Sequence, residues 1–576
     1  MGLYIKSIIG NKTKSINLYK LNDYIAVSTQ KFLDQTGSIK DTIRIRHASS
    51  HFAPSLSKED LSILDINKDP TLNRIYGISF LNSSDHKEFL ETSDRISKID
   101  HRLIGKTQEL FMLHKHSPGS PFFLKYGTRI VNRMLDLLRS KYLKYNFDEV
   151  ITPQIFYNAI WKTSGHLENY SKDMFAVSGM HDKKNDNDKT DSNSLSCTDA
   201  HNSNSELAGL KPMNCPGHCL IFASKIRSYR ELPLRIADLG PVHRNEPVGT
   251  LSGLTRVRRF HQDDGHIFCS LDSVKDEITD QLNMLSEVYS IFKFKNYDLT
   301  LSTRPKDKYI GSLDLWDSAE SYLKLALNQT KRPWTENTGD GAFYGPKIDV
   351  YVQDALGRKH QTATIQLDFQ LPKRFKLKYT NKDSKKEEPV IIHRAIFGSI
   401  ERMVAILSEH YGGRWPFWIS PRQALVVPLI NNNTHSADEE SLNAKIIEYA
   451  KLVYNELRGG EIVKVNSVNT TPLYSAESNS SNVESMDQSE IIENLTTKRM
   501  NKYRFFVDLK EPTGVGKLGK VAKEARVERY NYLIAVGAKE LKNKTVNIRG
   551  FNSEDVDQIS LVNLKNMFMD LSDKFE

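Results

Sequence analysis

Cys215, His266 and His393 lie far apart in the chain, each inside a segment dense in charged and polar residue types. The segments are Lys211-Pro212-Met213-Asn214-Cys215-Pro216-Gly217-His218, Arg259-Phe260-His261-Gln262-Asp263-Asp264-Gly265-His266 and His393-Arg394-Ala395-Ile396-Phe397-Gly398-Ser399-Ile400-Glu401-Arg402. A thiolate with two imidazoles is a borderline-soft ligand set that suits zinc, and three protein ligands leave a fourth position open, as catalytic zinc sites do. On residue type alone, a buried inert cysteine is the commoner reading of such a position. Cys215 and Cys219 also make a Cys-x3-Cys pair that would suit a different metal, although no second cysteine pair exists to complete a structural site.

A second kind of chemistry is carried by arginines. Arg244-Asn245-Glu246, a turn-rich loop from Pro247 to Gly253, and Arg256-Val257-Arg258-Arg259-Phe260 predict two strands of an antiparallel hairpin with charged side chains on one face. A fixed guanidinium stabilises charge that builds on a phosphoryl group. Charged cross-strand pairs on a solvated hairpin are the plainer alternative. Further on, Ile400, Met403, Val404 and Leu407 predict a helix packed by one face. Its Gly398-Ser399 start would leave free N–H groups and a positive dipole end ready for phosphate, with Arg402 one turn in.

Other elements must position these groups. Ile130, Met134, Leu137 and Leu138 recur at helical spacing after Pro121-Phe122-Phe123, and Asn146 can take the left-handed conformation that closes the helix. A strand over Glu149-Val150-Ile151-Thr152-Pro153 should follow, with Pro153 confined to an edge or interface. From Pro421 the pattern changes. Ala424–Ile430 reads as a buried strand, residues 446–457 as a helix, and residues 505–509 and 532–536 as strands, which implies an α/β unit.

With these motifs in this order, the chain resembles the threonyl-tRNA synthetase family of class II aminoacyl-tRNA synthetases, from about Tyr76 to about Gly550. The resemblance implies an α+β catalytic core, an antiparallel sheet flanked by helices, followed by a C-terminal α/β anticodon-binding domain. The helix, strand and Pro153 look like the motif that forms the homodimer interface; Asn146 stands where the family usually has glycine, and it too accepts positive φ. By resemblance Arg244 takes the α-phosphate of ATP, Glu246 accepts from the adenine amino group and Phe260 stacks on the ring. Arg256 lies near the phosphates or the tRNA end, Gln361 near the ribose, and Ser399 and Arg402 at the helix that holds the γ-phosphate. Gln262, Asp264, Tyr344 and Gln366 surround threonine, Asp264 accepting from its hydroxyl, and Lys347 lies near its carboxylate. Arg244, Arg402, Gln262 and Lys347 are thus the catalytic candidates. Arg259 matches the eukaryotic variant of a position that is often glycine in bacteria.

The implied activity is Mg-ATP-dependent ligation of L-threonine to tRNA(Thr) through a threonyl-adenylate. One Zn2+ per subunit on Cys215, His266 and His393 would read the amino and hydroxyl groups of threonine. An apolar pocket separates threonine from isosteric valine by only about 10²-fold, whereas a site that demands the hydroxyl rejects its absence by about 10⁴ or more. Two alternatives have distinct signatures. A prolyl-type class II synthetase has no need of a hydroxyl-reading metal, and an inactive RNA-binding paralogue would have lost Arg244, Arg402 or a zinc ligand.

Length and composition are compatible with this reading. A chain of 576 residues with 39% hydrophobic and 26% charged residues has ample length for roughly three to four globular domains. Four cysteines cannot make a disulfide scaffold, and no run of 18 apolar residues exists, so membrane insertion is not expected. Net charge is +9, concentrated in part in residues 501–550, where 12 Lys/Arg face 5 Asp/Glu; such a surplus favours a polyanion, here RNA. In the C-terminal domain the resemblance offers Lys517, Lys520, Glu540 and Arg549 as anticodon contacts.

Residues 1–22 hold four lysines and no acid among interleaved apolar residues, which suggests a mitochondrial (matrix) targeting segment within 1–50, with a cytoplasmic location as the alternative. Lys6 breaks the myristoylation pattern. Residues 51–100 would be a short linker without an editing domain, 101–418 the catalytic domain with a polar insertion at 178–208, and 419–576 the anticodon-binding domain with a second insertion at about 468–498. Both insertions are too polar to offset the entropy of ordering. Three motif matches are read as decoys: Gly514-x-Gly516-x-x-Gly519, which lacks a convincing βαβ context, the His47/His51 pair, and the Cys197/His201 pair.

Overall fold

The computed structural model describes residues 17–21, 24–28, 43–52, 71–80, 82–177, 208–306, 309–354, 357–431, 436–459, 504–551 and 556–576. Residues 1–16, Cys197, His201 and almost all of both polar insertions lie outside the described residues. The chain divides into Met1–Lys98 and Ile99–Glu576. In the first unit β1 (Asn17–Leu21) pairs antiparallel with β2 (Tyr24–Ser28), and β3 (Ile43–Phe52) with β4 (Thr71–Ser79). His47 and His51 lie in β3, in register with Tyr76 and Leu72. The span 51–100, expected to be a linker, thus carries β4 and the whole of helix α1 (Ser83–Ile99).

The second unit is built on an eight-stranded sheet. In chain order its strands are β5 (Asp148–Glu149), β6 (Leu234–Asp238), β9 (Asp264–Cys269), β10 (Asp298–Ser302), β11 (Trp334–Asn337), β12 (Lys347–Gln353), β13 (Lys359–Asp368) and β14 (Val390–Ala395). Between β6 and β9 a separate hairpin pairs β7 (Pro241–His243) with β8 (Arg259–His261). The spatial order is β11-β10-β12-β13-β14-β9-β6-β5, antiparallel except at the two edge pairs. β9 and β14 are buried at every position, as central strands covered on both faces must be.

One face of this sheet packs on helices. After helix α2 (His101–Thr107), helix α3 (Lys125–Lys144) has the expected stripe of Ile130, Met134, Leu137 and Leu138 buried, and Asn146 follows it with φ 55°. Helix α5 (Val274–Ile291) and helix α6 (Leu313–Gln329) complete the layer, joining Ile348, Val350, Ile365 and Ile392 of the sheet in one apolar core. Helix α7 (Ile400–His410) departs from the one-sided expectation, because it is buried nearly all round. Its polar residues find partners inside: Glu401 accepts from His261, Glu409 from His101, and Ser408 Oγ donates to Val404.

The strand expected over residues 149–153 shrinks to β5. Beyond it the Thr152 N–H and hydroxyl both donate to the Asp238 carboxylate, and Pro153 has no N–H to give. Side-chain bonding there replaces the ladder. The predicted hairpin arms also shift, since the ladder occupies 241–243 and 259–261 and leaves Arg244 to Arg258 as the loop.

The C-terminal sheet has the order β16 (Val507–Leu509), β15 (Ala424–Ile430), β17 (Tyr532–Val536), β18 (Thr545–Gly550), β19 (Val556–Ser560), with the first three parallel and the rest antiparallel. Helix α8 (Ala437–Arg458), capped by Ser436 and closed by Gly459 at φ 67°, is longer than the apolar pattern alone indicated. It packs Ile446, Ala450, Val453 and Leu457 against Val426, Ile534 and Phe568. Helix α9 (Leu518–Val527) connects β16 to β17, both parallel to β15, so a βαβ context does surround Gly514–Gly519, contrary to expectation. Gly516 and Gly519 nevertheless face open space, with no neighbouring backbone that would demand glycine.

Glu287 on α5 ties the core helices together, accepting from Lys141, Lys144 and Tyr145. Burial would raise its pKa, but these three donors outweigh it and hold the carboxyl down at about 2. Its contribution is therefore complete above the unfolded glutamate value near 4.5 and disappears as pH falls through about 2. Glu287→Gln should lower unfolding free energy at pH 7 by about 1 kcal/mol, allowing for solvent screening, and the difference should vanish near pH 2. Denaturant titrations of both proteins across that range check it.

Candidate active site

Strand register builds the site. His266 on β9 stands opposite His393 on β14, His393 opposite Gln366 on β13, and Gln366 opposite Lys347 on β12. Four functional side chains from four strands thus form one row across the sheet. Because side chains alternate between faces, this row shares its face with Ala395, Thr364 and Asp349 one step along. Cys215 comes from outside the sheet, at the first position of helix α4 (Cys215–Ala223), where Pro216 suits the first turn.

Ligand atoms of Cys215, His266 and His393 all lie within 4.8 Å of one another and all three residues are buried. His266 Nε2 and His393 Nδ1 approach to 2.9 Å. Their outer nitrogens are held separately: His266 Nδ1 lies 2.7 Å from His218 Nδ1, and His393 Nε2 lies 3.0 Å from an Asp368 carboxylate oxygen. Each ring is thereby oriented with one nitrogen inward, the arrangement metal-binding histidines adopt. Burial pushes the Cys215 thiol well above its ordinary value and depresses His266, the latter also through the neighbouring His393 and His218. A buried thiol gives up its proton only beside a countercharge, and a divalent cation among these three ligand atoms would supply it, so the donor set fits a metal in chemistry as well as geometry.

The triad opens into a cavity of about 340 Å³ that also takes in Gln262, Asp264, Tyr344, Lys347, Gln366 and Arg244. Tyr344 donates to Gln366 at 3.0 Å, and Asn214 donates to Asp264 at 3.1 Å. Burial would lower the Lys347 ammonium's pKa, yet Asp349 at 2.8 Å outweighs it and holds the group above the usual lysine value. A second cavity of about 200 Å³ shares Arg244, Gln262 and Gln361 and adds Glu246, Arg256, Phe260, Ser399 and Arg402. Every predicted catalytic, nucleotide-site, amino-acid-site and metal-site residue therefore lines one of two adjoining cavities.

The second cavity is electropositive. Burial lowers Arg402 from its ordinary value, and the like charges of Arg244 and Arg256 lower it further. Its guanidinium is fixed by donation to the backbone carbonyls of Thr255 and Gln361. Arg244 lies over the Phe260 ring at 5.1 Å, and Arg256 pairs with Glu246 at 2.8 Å. One expectation is corrected. Ser399 does not leave its helix start open, because its hydroxyl accepts from the Arg402 N–H and donates to Glu401. Gly398 before it has φ 67°, and a side chain there would meet the Thr362 carbonyl at 2.3 Å.

The C-terminal candidates do not converge. Lys517, Lys520 and Glu540 lie near the C-terminal ends of the parallel strands, Glu540 capping Gly537 at 2.9 Å. Arg549 pairs with Leu533 at the opposite end of β17.

Sequence reasoning missed three positioning residues. His218 lay inside a quoted segment, one helical turn from Cys215 as the available signal, and Asp368 lies two residues beyond Gln366 on the same strand. His101 gave none. Its Nδ1 donates to Glu409 on α7 at 2.7 Å, and its Nε2 accepts from the Leu254 N–H at 3.3 Å, which ties the 244–258 loop to the helix bearing Arg402. His101→Ala should remove the imidazole partner of the buried Glu409, lower stability by about 1–3 kcal/mol, and make the 244–258 loop newly susceptible to protease cleavage. Thermal unfolding and limited proteolysis with mass mapping would show it; an unchanged loop would mean that the latch does not hold it.

Residues 197–411 match the family model described as tRNA synthetase class II core domain (G, H, P, S and T), and residues 489–571 match that for an anticodon binding domain. Among curated relatives, a mitochondrial threonine–tRNA ligase of Arabidopsis thaliana is 46% identical over 74% of this chain and 55% of its own length. A cytoplasmic threonine–tRNA ligase of Bos taurus is 41% identical over 93% of this chain and 61% of its own. The chain thus spans less than two thirds of these relatives, and both compartments are represented at similar identity. A crystal structure of the RNA binding domain of threonyl-tRNA synthetase from Cryptosporidium parvum Iowa II superposes with TM-score 0.65 at 38% identity, covering 82% of this chain and 98% of that one. On these matches and on the geometry above, the chain belongs to the threonyl-tRNA synthetase family of class II aminoacyl-tRNA synthetases.

Proposed function

We propose that this chain activates L-threonine with Mg-ATP and transfers it to tRNA(Thr). The observation that carries the reading is the position of Arg244, which lines both the cavity at the Cys215–His266–His393 triad and the cavity of clustered arginines. Two substrates, one in each, would meet at its guanidinium. A threonine carboxylate oxygen attacks the α-phosphorus of ATP, the bond to the bridging oxygen breaks, and pyrophosphate leaves. Arg244 neutralises charge that grows on the α-phosphoryl oxygens, and Arg402, held by two backbone carbonyls, takes the γ-phosphate without reorganising. Phe260 supplies a flat face for adenine, Glu246 accepts from its amino group, and Gln361 lies toward the ribose. Arg256 neutralises the triphosphate. Ser399 serves by fixing the start of α7.

In the other cavity Lys347 and Gln262 hold the threonine carboxylate in line, Asp264 accepts from the hydroxyl, and Tyr344 and Gln366 close the pocket. Cys215, His266 and His393 would hold one zinc per chain, whose Lewis acidity gives the site an affinity for an amine and a hydroxyl together. The transfer step then passes the threonyl group to the terminal adenosine of the tRNA and releases AMP. A homodimer is supported by Ile151, 91% exposed beside the short edge strand, with Ile155 and Tyr157 also exposed nearby.

ATP–pyrophosphate exchange with each of the twenty amino acids tests the specificity. Threonine should give the highest rate. Serine, which lacks one methyl group, should be disfavoured only about 10–200-fold, and valine by about 10⁴ or more. Equal exchange with valine and threonine, or full threonine exchange by Cys215→Ala, contradicts the reading. For the dimer, Ile151→Asp should shift sedimentation toward the monomer, and a wild-type protein that sediments as a monomer would remove that part of the proposal.

A further inference from the structure

A third polar cavity, of about 320 Å³, lies away from the active site, where the end of α7 meets the C-terminal domain. Arg414, Arg526 and Arg529 line it together with Trp415, Asn531 and Phe551. Two turns deliver these guanidiniums. Gly412 and Gly413, at φ 56° and 71°, swing the chain out of α7 to Arg414, and Arg529 itself takes φ 67° between α9 and β17. Among the described residues none of the three forms an ion pair. Glu524, two residues before Arg526, pairs with Lys510 at 3.2 Å, and among the described residues no carboxylate pairs with Arg414, Arg526 or Arg529. Burial lowers Arg529 from its usual value and the Arg414 charge lowers it further, with no carboxylate opposing. Three converging, uncompensated guanidiniums call for an anion.

A fourth group narrows the choice of anion. The Asn531 amide nitrogen donates to the Trp415 carbonyl at 3.0 Å, which fixes the amide and leaves its carbonyl oxygen buried without a donor. A phosphodiester anion alone has no hydrogen to give that oxygen. A ribose-phosphate unit does, because the 2′-hydroxyl donates while the adjoining phosphate accepts from arginines. Arg526 lies over the Phe551 ring at 5.9 Å, and both line the cavity. We propose that Arg414, Arg526, Arg529 and Asn531 bind the sugar-phosphate backbone of an RNA strand at the seam between the catalytic core and the C-terminal domain. The inference rests on the reading of tRNA as substrate. It assigns a contact separate from both the active site and the anticodon candidates, and it makes grip on the RNA depend on the two domains together.

The test uses the Arg414→Gln/Arg526→Gln double variant, both side chains being exposed, with Asn531→Leu as a second variant. ATP–pyrophosphate exchange, which needs no RNA, should be unchanged in the double variant. Binding of a tRNA(Thr) transcript, followed by fluorescence anisotropy at about 0.15 M salt, should weaken about tenfold, and the salt dependence of log K should flatten by about one to two units. Asn531→Leu should weaken the all-RNA transcript several-fold and weaken an all-DNA strand of the same sequence, which lacks the 2′-hydroxyl, less. Unchanged tRNA affinity and salt slope in the double variant overturn the proposal. So does loss of phosphate or pyrophosphate binding with tRNA binding intact, which would make this a small-anion site. If the wild-type protein fails in exchange yet shows these RNA effects, the catalytic reading falls and this one stands.

Discussion

The register of the central sheet is the constraint on which the site depends. His266, His393, Gln366 and Lys347 are distributed over some 130 residues of sequence, yet pairing sets them side by side on one face. Side chains alternate with a period of two, so a slip of one residue at any of these ladders would turn a functional group into the helix-packed core and an apolar one into the cavity. The apolar partners on the other face, Ile267, Ile365, Ile392 and Ile348, enforce the register through their burial. Folding energy and catalytic geometry are thus specified by the two faces of the same strands.

Around this row the polar groups are fixed by neighbours rather than by solvent. His218 and Asp368 orient the two histidines, Asn214 orients Asp264, and carbonyls of Thr255 and Gln361 hold Arg402. Such preorganisation lets charge that develops on a phosphoryl group meet donors already in place. The same economy explains why α7 is buried nearly all round. It carries Arg402 at one end, binds His261 and His101 through Glu401 and Glu409, and so couples the loop 244–258 to the sheet.

Legibility of the sequence followed the range of the interactions. Ala424–Ile430 and residues 532–536 were read correctly because buried parallel strands appear as continuous apolar runs. The helix after Phe123 was read from a local stripe, and its end from Asn146. The two cavities' residues were identified through motif resemblance, while their cross-strand alignment depends on pairings that no local pattern encodes. His101 lies 308 residues from Glu409, and its role is invisible without the fold. Residues 149–153 were misjudged because the Asp238 side chain captures the backbone donor, and the βαβ crossing at Gly514 because its central strand, β15, lies some 80 residues upstream.

In the proposed reading Cys215, His266 and His393 hold one metal ion whose chemistry selects the amino acid. X-ray absorption at the zinc edge on protein purified without chelator tests it most directly. The account predicts one zinc per chain with a single sulfur ligand at about 2.3 Å and nitrogen or oxygen ligands at about 2.0–2.1 Å, the sulfur signal being absent in Cys215→Ser. No bound metal, or a shell with two sulfurs as a Cys215–Cys219 site would give, would contradict it.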